Sequence, residues 1–378
     1  MTVGAGSLGV GSAALGLADI PPSRPEGAGT QISLAAAASD DRDVDSTAAL
    51  QRLINNHPSF AVLNGEGRVY RISRPLEIPA GSRMLTIENI QLIVAGDHAA
   101  IRHADRGPPI AFFQLRKCLI DTTSHRTRGQ AAVDFSNMFS FSFERIWVVG
   151  APGVTVGFYG RGGSGSAPYY GVFDRCYVAG VSIGIALSDA EGALQSVNSL
   201  TVRDCRIQPG QGNTGIYIGR NSQNIRVNDT TIESFGGIGI HLAGHACMIS
   251  GNRFEALDVG VAYHPDAHSN VEIGNYFDSN RQNRDGFSPT ATNSIIHDRT
   301  GADIQQSHLA GALTVVDGLS VGGEAVVGAR RGGWALPTGR SSRASFNSST
   351  VTTPELAERV KALIEDLHAD RGHGLIGR

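Results

Sequence analysis

Apolar and polar residues alternate in short runs along the middle of this chain, and the runs recur. They read FSFERIWVV from Phe141, GVFDRCYV from Gly171, LTVRDCRI from Leu200, IRVNDTTIE from Ile225, MISGNRFE from Met248 and VEIGNYFD from Val271. Each is a brief period-two alternation broken near its middle by Asp, Asn or Gly, the pattern of two short strands joined by a tight turn. A second motif falls between them: GIAL from Gly184, GIYI from Gly215, GIHL from Gly239 and GVAY from Gly260. The last three stand 24 and 21 residues apart, and an insertion around residues 191–197 sets the first further away. A period of about 20–25 residues carrying short strands predicts a solenoid, in which each coil buries its apolar face against its neighbours.

The Gly, Val, Ile and Asn content argues against a helical array, and the leucine spacing of a leucine-rich repeat is missing. The pattern predicts an all-β chain, a single-stranded right-handed parallel β-helix whose inward side chains stack in ladders. In that register Val178, Ile207, Ile232, Phe254 and Phe277 form one interior column. Leu187, Ile218, Leu242 and Tyr263 form a second. Cys176, Cys205, Thr230 and Asn252 share a third, where an Asn ladder satisfies the backbone at a sharp turn.

The ends read differently. Residues 1–39 are expected to be a signal-like or flexible segment and linker; the first twenty resemble the middle and end of an export signal without its basic start. Residues 40–300 hold the β-helix, opened by a helix from Asp45 or Ser46 whose Leu50, Leu53 and Ile54 cover the first coil. Residues 301–378 hold a Gly-rich strand pair, a polar linker and a helix with Thr353 as N-cap and Pro354 in its first turn. There Leu356, Val360, Leu363 and Leu367 step by 4, 3 and 4, a coiled-coil seam that predicts a homotrimer. A helix folded back on the last coil is the alternative.

Composition narrows the partners. Gly is 48 of 378 residues, as many tight turns require. Net charge is −3 with 18% charged residues, so no polybasic surface points to nucleic acid. Lysine occurs only as Lys117 and Lys361. The first twenty residues are too weakly hydrophobic for a membrane span, and no membrane partner is expected. Cys118, Cys176, Cys205 and Cys247 are too scattered for a disulfide framework or zinc site, and buried hydrophobes are the preferred reading for Cys176 and Cys205.

The residues Asp45 to Gln51, then Val69 to Ser73 and Ile78-Pro79-Ala80-Gly81, resemble the entry segment of the pectate-lyase-like β-helix superfamily, which includes polygalacturonase-related proteins and phage tailspikes. The block from Gly333 to Leu367, followed by HGLIG, resembles the C-terminal piece of phage tail fibre proteins. The resemblance implies the β-helix fold over about residues 40–300 and an extracellular or virion-associated setting. It implies no single reaction, because the superfamily holds hydrolases, lyases, epimerases and inactive binders.

Candidate chemistry follows from the register. The residue after the interior position is Gln208, then Glu233, Glu255 and Asp278 in successive coils. Stacked at about 4.8 Å, such carboxylates repel unless a cation or a catalytic task holds them. Adjacent members suit a retaining glycosidase and members two coils apart an inverting one. A Ca²⁺ ion, as in pectate lyases, is a third use, and solvated turn residues a fourth. Tyr217 and His241 share an outward column with Ala186 and Ala262 and form a sugar platform. Arg281 and Arg284, in a polar turn after Asp278, form an anion clamp. No other metal or cofactor is expected: the histidines lack metal-ligand spacing. The reading is a tailspike-like glycoside hydrolase acting on a polysaccharide, with a secreted lyase or epimerase and a non-catalytic adhesive tail protein as alternatives.

Overall fold

The computed structural model describes residues 30–36, 38–39, 41–103, 107–162, 168–188, 197–288, 292–300, 303–308, 319–321, 324–327 and 338–367. The signal-like first twenty residues, much of the insertions near residues 163–167 and 189–196, and the HGLIG tail lie outside them. Contacts divide the chain between Ala310 and Gly311.

The first unit is a right-handed parallel β-helix of nine coils. Each coil contributes three short strands. In one coil these are Thr201–Arg203, Arg206–Gln208 and Thr214–Ile218, and successive coils pair in parallel register with them. The three stacks are here called sheets I, II and III. Sheet III holds nine strands, from Leu76–Ile78 to Gln282–Asp285. Sheets I and II join at their C-terminal end, where Ser294–Thr300 pairs with both Val271–Ile273 and Tyr276–Asp278.

The expected columns are those observed. Val178, Ile207, Ile232, Phe254 and Phe277 are neighbours through sheet II and fully buried. Leu187, Ile218, Leu242 and Tyr263 stack likewise in sheet III. The third column is a hydrogen-bonded ladder. Cys176 N–H donates to Cys205 Sγ, Cys205 N–H to Thr230 Oγ1, Thr230 N–H to Asn252 Oδ1 and Asn252 N–H to Asn275 Oδ1. Each side chain reaches one coil down and satisfies a backbone donor that the tight turn leaves unpaired.

The glycine opening each sheet III motif has a packing reason. A Cβ on Gly215 would stand 2.5 Å from the Ile232 methyl and 2.6 Å from the Gly239 carbonyl, and one on Gly239 only 2.4 Å from the Gly260 carbonyl. In these coils sheet III approaches the inner side chains of sheet II too closely for a Cβ at that position.

Each open edge of the first coil is covered. Thr30–Ser33, inside the stretch read as linker, is a strand paired with Ala61–Asn64 of sheet I. Its neighbours' Pro and Ala content masks four strand-compatible residues. Asp45 bridges to Arg71 of sheet II, with Ser46 N–H donating to the Arg71 carbonyl at 2.9 Å. In sheet III the Gln51 amide stands in for a missing strand: its Nε2 donates to Glu77 O and its Oε1 accepts from Glu77 N–H, both at 2.8 Å. Gln51 belongs to the helix Thr47–Asn56, whose Leu50 and Ile54 are buried. Of the two cap candidates, Asp45 acts: its Oδ1 accepts from Thr47 N–H, whereas Ser46 makes no side-chain cap bond. Asp45 Oδ2 also accepts from Ser73 Oγ at 2.6 Å.

The second unit contains an antiparallel pair, Leu319–Val321 with Glu324–Val327, and the helix Thr353–Leu367. Its cap is Thr352, one residue before the expected Thr353: Thr352 N–H and Oγ1–H both donate to Glu355 Oε2 and Glu355 N–H returns to Thr352 Oγ1. This reciprocal capping box outweighs the preference of proline for the first helical position. No described helix is long and apolar enough to cross a membrane.

Candidate functional site

A sheet II strand of three residues turns its middle side chain inward and its two flanking side chains outward. The outer face therefore carries two parallel columns. The leading column runs Trp147, Tyr177, Arg206, Thr231, Arg253, Tyr276, and the trailing column Val149, Ala179, Gln208, Glu233, Glu255, Asp278. Glu233, Glu255 and Asp278 are thus direct neighbours in consecutive coils, as the spacing predicts.

What separates the like charges is arginine from the leading column. Arg206 Nη2 donates to Glu233 Oε1 at 2.6 Å, and Gln208 donates to the same oxygen. Arg253 Nη2 lies 3.0 Å from Glu255 Oε2 and 3.4 Å from Asp278 Oδ2. Arg253 thus bridges Glu255 and Asp278. Among the described residues no three His, Cys, Asp or Glu side chains converge as metal ligands would. Glu255 is about one-third exposed, and only its Oε2 is engaged among the described residues.

Aromatic rings extend the face toward the N-terminal coils. Trp147 is 50% exposed and meets Tyr177 edge-on at 5.1 Å. Tyr177 O–H donates to Gln208 Oε1, which links the rings to Glu233. Arg206 lies over the Tyr177 ring at 6.0 Å and Arg253 over Tyr276 at 5.7 Å. These five residues escaped the sequence reading, although they stand two positions before the carboxylate column in each strand.

Tyr217 and His241 do pair, with ring centroids 5.1 Å apart, but on sheet III. The structure separates them from the carboxylates by the turn that joins the two sheets. Burial, then the neighbouring His264, pushes the His241 pKa below its usual value. His264 in turn bonds Arg220 at 3.1 Å.

The anion clamp divides. Arg281 stays outward, 3.4 Å from Asp258. Arg284 does not. The segment read as a polar turn is the last strand of sheet III, and Arg284 continues the interior column of Ile240 and Val261. In the same coil Glu272 continues the interior column of Ile249 and is fully buried. The two form a bidentate pair, Nε to Oε1 at 3.0 Å and Nη2 to Oε2 at 2.9 Å. Tyr263 O–H adds a 2.6 Å bond to Oε1, and the guanidinium packs 4.7 Å from the Phe277 ring. Arg284 thus turns inward, with its side chain 13% exposed.

No family model matches the chain, and no curated protein matches it. Solved structures do. Over 72% of this chain and 81% of the other it superposes, with a TM-score of 0.51 and 12% identity, on the DFA-IIIase of Arthrobacter chlorophenolicus A6 without its lid. It superposes on a 1,3-α-1,4-β-D-galactose-4-sulfate-3,6-anhydro-D-galactose-2-sulfate 4 galactohydrolase with a TM-score of 0.52 and 9% identity, over 67% of this chain and 72% of that one. The ORF18 protein of Geobacillus virus E2 aligns at a TM-score of 0.46 and 12% identity over 72% of this chain, which spans 62% of that protein. The two likenesses above 0.5 establish the shared β-helix fold.

Proposed function

We propose that this protein is a polysaccharide-degrading β-helix of the glycoside hydrolase type, with its substrate lying along the outer face of sheet II. The observation that carries the reading is the row Glu233, Glu255, Asp278 in consecutive coils, with the half-exposed Trp147 ring and the partly buried Tyr177 ring further along the same face. A sugar chain running parallel to the helix axis meets one coil about every 4.8 Å, so it spans rings and carboxylates together. Glu255, central in the row and with one unengaged oxygen, is the proposed acid or nucleophile; its neighbours Glu233 and Asp278 supply the second carboxylate. Arg281 is assigned to an anionic group of the substrate, and Tyr217 and His241 to a more distant part of the same chain. The name of the galactohydrolase denotes action on a sulfated galactose chain, which supports the same class here. A tailspike-like role outside the cell or on a virion is part of the proposal.

Glu255→Gln should lower the rate of polysaccharide depolymerisation at least about 100-fold while polysaccharide binding survives. The assay follows viscosity and the ultraviolet absorbance of unsaturated uronates over a set of capsular and exported polysaccharides. Falling viscosity without absorbance indicates hydrolysis, and rising absorbance indicates the lyase alternative. Full activity in Glu255→Gln, Glu233→Gln and Asp278→Asn alike removes the row from consideration. A second reading, a protein that binds without cleaving, draws on the arginine pairing of the row and corresponds to neither signal changing.

The same proposal includes a trimer. Leu356, Val360 and Leu363 of the C-terminal helix are 44%, 47% and 57% exposed, whereas Ala362 and Glu365 on the other side are buried. An apolar seam left open in one chain is what a coiled-coil partner covers. Light scattering should give a trimer for the intact protein and a smaller species for a chain ending before Gly333; an intact monomer overturns this part.

A further inference from the structure

The turn between sheets I and II has two residues. The second points inward and builds the ladder described above. The first sits in the left-handed backbone region in coil after coil: Asn89, Lys117, Arg145, Arg175, Asp204 and Asp229 have φ of 52°, 52°, 54°, 53°, 52° and 50°, and Gly251 and Gly274 continue the row at 65° and 62°. Asn, Asp and Gly are the residues that tolerate this conformation. Lys117, Arg145 and Arg175 are not, and each is disfavoured there relative to glycine. Three successive coils thus hold long cations where the coil at Asn89 and those from Asp204 to Gly274 carry Asn, Asp or Gly. One of them is among the two lysines in the chain.

These cations border a concavity. A cavity of about 220 Å³ is lined by Asn89, Gln91, Lys117, Leu119, Arg145 and Trp147, among others. Trp147 offers a half-exposed ring at one side, braced by Tyr177. The carboxylates nearby lie on sheet I and hold the row loosely: Arg145 is 3.7 Å from Glu144, and Arg175 is 3.9 Å from Asp174, which is already bonded to Arg203 at 3.0 Å. Lys117 has no ion pair among the described residues. The cations and the ring meet at one groove.

We propose that this groove binds an anionic glycan, its sugar ring stacked on Trp147 and its sulfate or carboxylate held by Lys117 and Arg145, with Arg175 prolonging the row. The proposal rests on the reading above only in taking the ligand to be a sugar. Trp147 stands three coils before Glu233 on the same outer face, about 14 Å along the axis. A chain anchored here therefore continues over the carboxylate row.

The test is calorimetric binding to the intact protein of three probes: a sulfated galactan oligosaccharide, an oligogalacturonate and a neutral malto-oligosaccharide. At least one anionic probe should bind, at least about tenfold more tightly than the neutral one, and weaken as salt rises. The double variant Lys117→Gly with Arg145→Gly should lose at least about tenfold in affinity while its melting temperature holds or rises, because glycine relieves the turn. Trp147→Ala should also lose affinity, and Glu255→Gln should keep it. Equal binding of the neutral probe, no binding of either anionic probe, or wild-type affinity in the double variant each overturns the groove. A groove that fails while Glu255→Gln abolishes cleavage leaves the proposed function standing; the reverse result leaves the groove standing without it.

Discussion

Two arginine–carboxylate groups lie within adjacent coils of this β-helix and mean opposite things. Arg253 bridges Glu255 and Asp278 on the outer face, with side-chain exposures of 47%, 34% and 35%. Arg284 grips Glu272 inside the barrel, with exposures of 13% and 0%. The chemistry is the same and the solvent differs. Outside, water screens each charge and either partner alone remains hydrated, so the pairing is adjustable and a ligand can compete for it. Inside, the two charges grip each other, and Glu272 also accepts hydrogen bonds from Tyr263 and Asn275. The outer group is suited to recognition. The inner group closes the last coil in one register, because Glu272 and Arg284 occupy columns that every preceding coil fills with apolar side chains.

The comparison breaks first at Arg284. Arg284→Ala should cost about 3–5 kcal/mol of stability, measured by denaturant unfolding, since it strands the buried Glu272. Replacing the group as a whole, Glu272→Ile, Arg284→Val and Tyr263→Phe together, should recover most of that loss, because the columns return to the residue types of their neighbours. A smaller effect is expected at the other end, where a charge is exposed yet fully committed. Burial works to raise the Asp45 pKa, but hydrogen bonds from Ser73 and Thr47 outweigh it and bring the value down to about 2 from 3.8. Asp45→Ala should cost about 1 kcal/mol at neutral pH. A carboxyl whose folded pKa is depressed stabilises above its unfolded value, so the difference between variant and wild type should vanish as pH falls from 3.8 through about 2. Smallest is Arg253→Ala, expected to change stability by less than about 1 kcal/mol yet to alter activity, by releasing Glu255 and Asp278. A stability loss at Arg253 as large as that at Arg284 would end the distinction between the two faces.

Much of this was legible beforehand, and the reason is geometric. In a β-strand the side-chain period is two, so an apolar position places its neighbours outward, and the repeat places equivalent residues one coil apart. That suffices for the interior columns, the ladder from Cys176 to Asn252 and the row Glu233, Glu255, Asp278. Arg284 was misread because QNRD is polar throughout. Its strand identity comes from pairing with Val259–Tyr263, and no local pattern announces it. Glu272 was passed over because its partner, Arg284, stands twelve positions later and meets it only in the folded coil.

The sequence by itself determined the coil, its period, which side chains point inward and which carboxylates stack, because these follow from alternation and repetition along one chain. Only the tertiary structure decided which arginine stands between those carboxylates, that Arg284 turns inward onto Glu272, that Gln51 completes an edge, and that Lys117 and Arg145 share a groove with Trp147. Each of these is a relation between coils or between sheets. Such relations depend on how the turns set three faces against one another, and a linear pattern of apolar and polar residues carries the order of the faces but not their contacts.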